Sequence, residues 1–297
     1  MPTRPSSLNL LFQVLIMGLV NLTFPNTLVE TADAQTNSVV PSRTGLFRSH
    51  PRFHSKFLSA DRDVLVYLPP NYDKNPKVRY PVLYLHDGQN LFDGSTSYIP
   101  GAEWRVDETA QSLITSGKIQ PLIIVGIYNA GEKRVAEYTP TQDEKGRGGE
   151  ADAYGKMLVS ELKPFIDREY RTKKDAANTG LGGSSLGGLV SLYLGIKYPA
   201  VFGKLAIVSP SVWWDNNIIV QQTLAMPTKM KTKIWLDIGT EEGRQMLSGA
   251  RLLRDALTSK GWKLNTDLAY FEAVGAQHNE KSWAARVSPL LTFLFPK

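Results

Sequence analysis

The sequence NTGLGGSSLGGLVSLYLG, residues 178–195, places two adjacent serines between two pairs of glycines. An apolar run precedes the serines and a helix-forming run follows them, which predicts a strand, a sharp turn and a helix. Where such a turn exposes a nucleophile, the residues two before and two after it nearly touch and must be small. For Ser185 both positions are glycine, whereas for Ser184 the second is Leu186. The spacing therefore selects Ser185 as the candidate nucleophile.

A phosphate-binding loop is the main alternative for this stretch. The pattern G-x-x-x-x-G-K-[ST] is absent from it, and residues 180–187 resemble a dinucleotide loop only loosely, because no acidic residue follows a second strand at the expected spacing. A plain glycine-rich turn is also compatible with the stretch. The choice depends on the residues that accompany Ser185 elsewhere in the chain.

Apolar, β-prone runs recur along the chain with helical stretches between them. They predict strands at 63–69, 80–86, 121–127, 178–183, 204–210, 233–239 and 267–273. The helical stretches predict helices at 106–117, 150–169, 186–198, 243–260 and 280–294. This alternation predicts an α/β fold with a central, mostly parallel sheet and helices on both faces. The opening runs 46–58 and 62–69 have no helix between them and predict an antiparallel N-terminal edge.

A serine hydroxyl needs a base within hydrogen-bond reach, usually a histidine that a carboxylate orients. In serine hydrolases of this architecture the nucleophile comes first in the chain, then the acid, then the histidine. The sequence has four histidines, and only His278 follows Ser185. It lies between the last predicted strand and the last predicted helix, which favours a catalytic base over a local helix cap.

The loop after the predicted strand 233–239 is the natural position for the acid. It contains Glu241 and Glu242, and Asp237 lies inside the strand. We predict Glu242 as the acid and keep Asp237 in reserve. Either glutamate has an alternative role as a cap of the helix that follows, because a carboxylate favours the positive end of a helix. A serine–histidine dyad without a tight acid is the other possibility.

An oxyanion hole needs two backbone N–H donors. One is predicted at Leu186, directly after the nucleophile, and the other at Gln89, in the loop after the strand 80–86. Gly88 permits a close backbone approach there. His86, at the end of that strand, is predicted to be structural, because no second histidine or carboxylate cluster has metal-ligand spacing.

The N-terminal region has the features of a secretory signal. A seven-residue apolar core, residues 14–20, is too short for a membrane span, and small residues at Ala32 and Ala34 predict cleavage before Gln35. An uncleaved anchor is the alternative. We therefore predict a signal peptide at 1–34, a flexible leader at 35–45 and one domain at 46–297, with no membrane association after cleavage.

Composition excludes several classes of function. The chain has 297 residues, 42% of them hydrophobic, and no cysteine, so neither a disulfide nor a thiolate nucleophile is possible. Removing residues 1–34 takes one of the 34 basic and two of the 28 acidic residues, which leaves a net charge of +7. The basic residues form only short runs, at 171–174 and 229–233, which predict a solvated surface and no nucleic-acid partner.

Together these stretches resemble the putative-esterase family of α/β-hydrolases, which includes siderophore, feruloyl and acetyl-xylan esterases, S-formylglutathione hydrolase and mycolyltransferases. The resemblance covers nearly the whole predicted domain and rests on the following stretches: VLVYLPPNY (64–72), YPVLYLHDGQNLFD (80–93), PLIIVGIYN (121–129), GGSSLGGLVSLYLGIKYP (182–199), SPSVWW (209–214) and HNEKSWAARVSPLLTFLF (278–295). It implies an α/β-hydrolase fold with Ser185 as nucleophile, His278 as base, Glu242 as acid and the amides of Gln89 and Leu186 as oxyanion donors. Many members have aspartate at the acid position.

The resemblance also places Trp213 or Trp214 near the substrate, with core packing as the alternative for each. The long stretch 129–152 is a second candidate wall, in which Arg134 and Tyr138 are predicted either to contact substrate or to face solvent. The sequence thus predicts an exported serine esterase that needs no cofactor or metal and acts on a small-molecule or polysaccharide-linked ester. An acyltransferase of the mycolyltransferase type and a non-catalytic binding protein on a hydrolase scaffold are the alternatives.

Overall fold

The computed structural model describes residues 42–297, so the predicted signal peptide and most of the predicted leader lie outside the described residues. Eight strands alternate with helices along this part of the chain. The strands are β1 (Leu46–Phe53), β2 (Arg62–Leu68), β3 (Val82–His86), β4 (Ile123–Ile127), β5 (Thr179–Ser184), β6 (Lys204–Val208), β7 (Lys233–Gly239) and β8 (Leu268–Ala273).

These strands form one sheet in the order β1-β2-β4-β3-β5-β6-β7-β8. β2 is antiparallel to both of its neighbours, β1 and β4, and every other pair is parallel. All strands except β2 therefore run in one direction. The predicted mostly parallel sheet and its antiparallel N-terminal edge are confirmed.

Helices cover both faces of the sheet, as predicted. They are α1 (Val106–Thr115), α2 (Arg134–Glu137), α3 (Ala151–Met157), α4 (Lys163–Glu169), α5 (Leu186–Lys197), α6 (Trp214–Ala225), α7 (Arg244–Ser259) and α8 (Glu280–Leu294). Successive residues of a strand point to opposite faces, and β2 accordingly sends Val64 and Val66 into one apolar core and Leu65 and Tyr67 into the other. α1 and α8 pack in the second core, and α3 to α7 pack in the first.

The observed helices differ from the predicted ones at the stretch 150–169 and at α6. The stretch 150–169 is not one regular helix, because a π-helical segment, Leu158–Leu162, separates α3 from α4. Pro164 follows this segment and cannot donate a backbone hydrogen bond to the preceding turn, which accounts for the irregularity. The helix α6 was not predicted. Its first turn contains three consecutive residues in the left-handed region, at 215–217, which the sequence pattern does not reveal.

The helices of the described part of the chain are all too short or too polar to cross a membrane.

The parallel strands end at one edge of the sheet, and this edge collects the chemically interesting loops. β3, β5, β6 and β7 are consecutive in the sheet, and each is followed at its carboxyl end by polar residues. Ligands of open α/β sheets bind beyond this edge. The fold therefore brings together the loops in which the candidate catalytic residues were predicted.

His86, the last residue of β3, is buried beneath this edge. Its ring packs against Tyr138 and Tyr154, with centroids 5.1 and 5.5 Å apart, and Nδ1 lies 2.9 Å from the Tyr154 hydroxyl. Burial lowers the pKa of His86 to about 3, although the neighbouring Asp87 acts in the opposite direction. The imidazole is therefore uncharged at neutral pH and has the contacts of a packing residue.

This burial predicts a specific loss of stability in acid. The unfolded chain binds a proton at His86 near pH 6.5, whereas the folded chain does so only near pH 3. The stabilising contribution is present above pH 6.5 and is lost as the pH falls toward 3. From pH 7 to pH 5, His86 alone should lower the free energy of unfolding by about 2 kcal/mol. Urea unfolding at both pH values should show a correspondingly smaller decrease for His86→Gln, and equal decreases would contradict this explanation.

Candidate active site

The turn between β5 and α5 has the strained geometry that the glycine spacing predicts. Ser185 has φ 58° and ψ −123°, a conformation that non-glycine residues rarely adopt. A Cβ atom at Gly183 would lie 3.0 Å from the Cβ of His86 and 3.2 Å from the Cα of Gly187. A Cβ atom at Gly187 would lie 3.3 Å from the Cβ of His86, so a side chain at either glycine requires a neighbour to shift by a few tenths of an ångström. Ser184 is the last residue of β5 and is only 4% exposed, while Ser185 is half-buried at the turn.

Glu242 and His278 form a close pair across the loops that follow β7 and β8. The Nδ1–H of His278 donates to Oε2 of Glu242 at 2.7 Å. The imidazole is 33% exposed, while the carboxylate is completely buried. Burial acts to raise the pKa of Glu242, but hydrogen bonds from His278, Ser209 and the backbone of Gly239 together lower it below its ordinary value. Glu242 is thus held as an anion, and Nε2 of the histidine is the nitrogen left for other contacts.

Asp237, the reserve candidate for the acid, has different partners. Its Oδ1 accepts from Nη1 of Arg286 at 2.8 Å, and its Oδ2 accepts from Nε1 of Trp235 at 2.6 Å. Burial raises the pKa of Asp237 to about 6, and the adjacent guanidinium partly offsets this effect. The structure therefore gives Glu242, and not Asp237, the hydrogen bond to His278.

Ser185 and His278 line the same cleft, which has a volume of about 340 Å³. The residues that line it are Asp87, Gln89, Asn90, Tyr98, Asn129, Gly131, Arg134, Ser184, Ser185, His278, Glu280 and Trp283. The hydroxyl of Ser185 lies 3.2 Å from that of Ser211, within hydrogen-bond distance. Hydrogen bonds between a nucleophile and its base often tighten only when substrate binds.

The two predicted oxyanion amides belong to segments at this cleft. Gln89 lies in a 3₁₀ turn, Gly88–Asn90, directly after β3, and Leu186 is the first residue of α5. Among residues 42–297, no turn, loop or capping hydrogen bond between backbone groups uses either N–H. Amide donors without a backbone acceptor at a helix N-terminus are suited to bind an anionic oxygen.

Arg134 forms one wall of the cleft together with Asp87. Its Nε and Nη2 donate to the two oxygens of the Asp87 carboxylate, each at 2.7 Å, and Asn129 donates to one of these oxygens, also at 2.7 Å. Burial acts to lower the pKa of Arg134, but the adjacent carboxylate raises it above its ordinary value. The guanidinium therefore stays charged, and the Arg134 side chain is 26% exposed.

The other predicted pocket residues are not among those that line the cleft. Tyr138 is completely buried and lies under Arg134, whose guanidinium carbon is 5.1 Å from the centre of its ring. Trp214 is 2% exposed and donates from Nε1 to the carbonyl of Thr141. Trp213 is 39% exposed but lies outside the cleft. Tyr138 and Trp214 are therefore packing residues, and Arg134 is the one of the four that lines the cleft.

Several polar residues around the catalytic candidates were not predicted. Ser209 donates to Glu242, Ser211 contacts Ser185, and Trp283 and Arg286 reach the same region from α8. The only signal for the serines is their position immediately after an apolar strand. For the two α8 residues the signal is their three-residue spacing, which places them on one face of the helix.

Residues 42–297 contain no group of three or more histidine, aspartate or glutamate side chains arranged to hold a metal ion.

Comparisons with known proteins found similar sequences and a similar structure. The family model described as "Putative esterase" matches residues 55–294. The endo-1,4-β-xylanase/feruloyl esterase of Xylanibacter ruminicola is 33% identical over 159 residues, which are 52% of this chain and 20% of that protein. The ferri-bacillibactin esterase BesA of Bacillus subtilis is 30% identical over 164 residues, which are 50% of this chain and 53% of that protein.

A solved structure shows the same fold over nearly the whole chain. The BES protein from Bacillus cereus superposes with a TM-score of 0.67 at 23% identity. The superposition covers 92% of this chain and all of that one.

Proposed function

Because the chain belongs to the putative esterase family, we propose that it hydrolyses carboxylic esters through an acyl-enzyme formed on Ser185. The observation that carries this proposal is the buried Glu242 carboxylate, which accepts the Nδ1–H of His278 at 2.7 Å beside the cleft that contains Ser185. This hydrogen bond selects the tautomer in which Nε2 is free to accept a proton. A nucleophile, a base and an orienting carboxylate are the groups that acyl transfer requires.

The proposed reaction has two half-reactions. Nε2 of His278 accepts the proton of Ser185 as its Oγ attacks the ester carbonyl, and the amides of Gln89 and Leu186 stabilise the negative oxygen of the tetrahedral intermediate. The imidazolium then protonates the departing alcohol. Water, deprotonated by His278, attacks the acyl-enzyme. As the second tetrahedral intermediate collapses, the bond between the acyl carbon and Oγ breaks, the imidazolium returns the proton to Oγ of Ser185, and the carboxylic acid is released. Glu242 stabilises the imidazolium in both half-reactions.

The substrate part of the proposal is a small-molecule ester such as a siderophore. The ferri-bacillibactin esterase supports it, because its similarity extends over half of each protein. Arg134 also supports the proposal of a siderophore-type substrate. The Asp87 carboxylate occupies one edge of the guanidinium, through Nε and Nη2, and Arg134 lines the cleft, where its remaining N–H groups can bind a carboxylate or phenolate oxygen.

Export is a further part of the proposal. It rests on the sequence of residues 1–34, with their short apolar core and their small residues before Gln35.

The choice between the two adjacent serines is tested by paired substitutions. Ser185→Ala should lower kcat for a short-chain nitrophenyl ester by at least about a thousandfold, because the acyl-enzyme cannot form. Ser184→Ala should keep most of the activity, because Ser184 ends β5 and the strained turn presents Ser185 instead. Labelling by a fluorophosphonate probe should follow the same pattern. Activity retained by the Ser185 variant would exclude this nucleophile.

The acid is tested by a matched pair of neighbouring glutamates. Glu242→Gln keeps the size of the side chain but removes the charge that stabilises the imidazolium, and it should lower kcat by about a hundredfold or more. Glu241→Gln makes the same change at an exposed position and should leave kcat nearly unchanged. Equal effects of the two substitutions on ester hydrolysis would show that Glu242 is not the acid.

The substrate class is tested with a panel of feruloyl, acetyl-sugar, siderophore and simple acyl esters. We expect the siderophore ester to have the highest kcat/KM, and Arg134→Ala to reduce that advantage mainly through KM, because the guanidinium binds the substrate and does not react. The simple acyl ester serves as the control for each variant. A preference for the acetyl-sugar or feruloyl ester would reassign the substrate while leaving the esterase mechanism in place.

A further inference from the structure

Ser209, the first residue after β6, lies at the centre of a buried polar cluster behind the proposed catalytic acid. Its hydroxyl donates to Oε1 of Glu242 at 2.6 Å. Nε1 of Trp283 and Nη2 of Arg286 both donate to this hydroxyl, at 3.1 and 3.0 Å. Ser209 is fully buried, and Trp283 and Arg286 are 6% and 2% exposed, so the arrangement is shielded from solvent.

These contacts leave the Ser209 hydroxyl only one orientation. A serine hydroxyl has one proton to donate and two lone pairs that accept. Two N–H donors occupy both lone pairs, so the single proton is directed to Glu242. In most sites a hydroxyl rotates to suit its surroundings, but here rotation would break three hydrogen bonds in a buried environment, where unpaired polar groups are costly.

The two donors are themselves rigidly held. Nη1 of Arg286 donates to Asp237 at 2.8 Å and its Nε donates to the carbonyl of Ser282 at 3.2 Å. The ring of Trp283 packs edge to face against the imidazole of His278, with centroids 5.0 Å apart. The same helix, α8, therefore supports the base through a ring contact and the acid through Ser209.

Ser209 itself has an unusual backbone. Its φ is 42°, in the region that favours glycine, yet the residue carries a side chain. Its N–H donates to the carbonyl of Asp237 at 3.0 Å, which helps to fix the backbone in this conformation. Strain of this kind persists where the surrounding structure holds it, and it is concentrated at functional sites.

Resting on the proposed function, we propose that Ser209 is a positioning residue for Glu242. Its directed proton, together with the N–H of Gly239 at 2.7 Å, occupies Oε1, and Oε2 is thereby turned toward His278. The hydroxyl does not line the cleft and has no contact with a substrate there. It acts on the reaction only through the carboxylate.

A double-mutant cycle on kcat tests this inference. Ser209→Ala should lower kcat roughly tenfold to a hundredfold, the range expected for one hydrogen bond to a charged group, with KM nearly unchanged. In the Glu242→Gln background the same substitution should cost less than about threefold, because the charge through which it acts is gone. Ser209→Gly is the second variant. Glycine tolerates the left-handed backbone, so this protein should fold and show the same loss.

Thr223→Val is the matched control. It removes another buried hydroxyl, one that donates to the carbonyl of Ile219 at 2.7 Å in α6, and it should leave kcat within about twofold. Two outcomes would overturn the role of Ser209 alone. In the first, the losses of kcat caused by Ser209→Ala and Glu242→Gln multiply independently in the double variant. In the second, both Ser209 variants keep full activity while Ser185→Ala is inactive. Full activity of Glu242→Gln would overturn both this role and the proposed acid.

Discussion

The contact between the β5–α5 turn and the end of β3 is the constraint on which the candidate site depends. Gly183 and Gly187 approach each other and His86 so closely that no Cβ atom fits at either glycine without displacing a neighbour. Because the turn can lie directly against β3, Ser185 and the loop that carries Gln89 line one cleft. The imidazole under this contact is uncharged, so its burial requires no compensating ion. Tight backbone packing, more than any single polar interaction, brings the candidate catalytic residues to one cleft.

Much of this arrangement could be predicted because it follows from local patterns. Continuous apolar runs identified the strands, and their observed ends lie within two residues of the predicted ones, except that β1 ends at Phe53, five residues before the end of the predicted run 46–58. At β6 the strand ends at Val208 because the left-handed backbone of Ser209 cannot continue it. Glycine spacing selected Ser185, and the position of Glu242 after β7 selected the residue that hydrogen-bonds His278.

The remaining parts of the site depend on contacts between residues far apart in the chain. Ser209 and Arg286 meet across 77 positions, and neither has a sequence feature that indicates its partner. The burial of Tyr138 and Trp214 also depends on tertiary packing. Tyr138 lies beneath Arg134, and Trp214 lies against the loop that carries Thr141 and Gly148. An aromatic side chain beside a candidate site has the same appearance in the sequence whether it lines the pocket or supports it.

The buried cluster behind His278 has a net charge that suits one step of the proposed reaction. At rest it contains the guanidinium of Arg286 and the carboxylates of Asp237 and Glu242, since the pKa of Asp237, about 6, leaves it largely ionised at neutral pH. The sum is one negative charge in a region of low dielectric constant. In the proposed reaction His278 takes the proton of Ser185, and the sum becomes zero. Under that mechanism the cluster carries a net negative charge in the ground state and reaches neutrality as the tetrahedral intermediate forms.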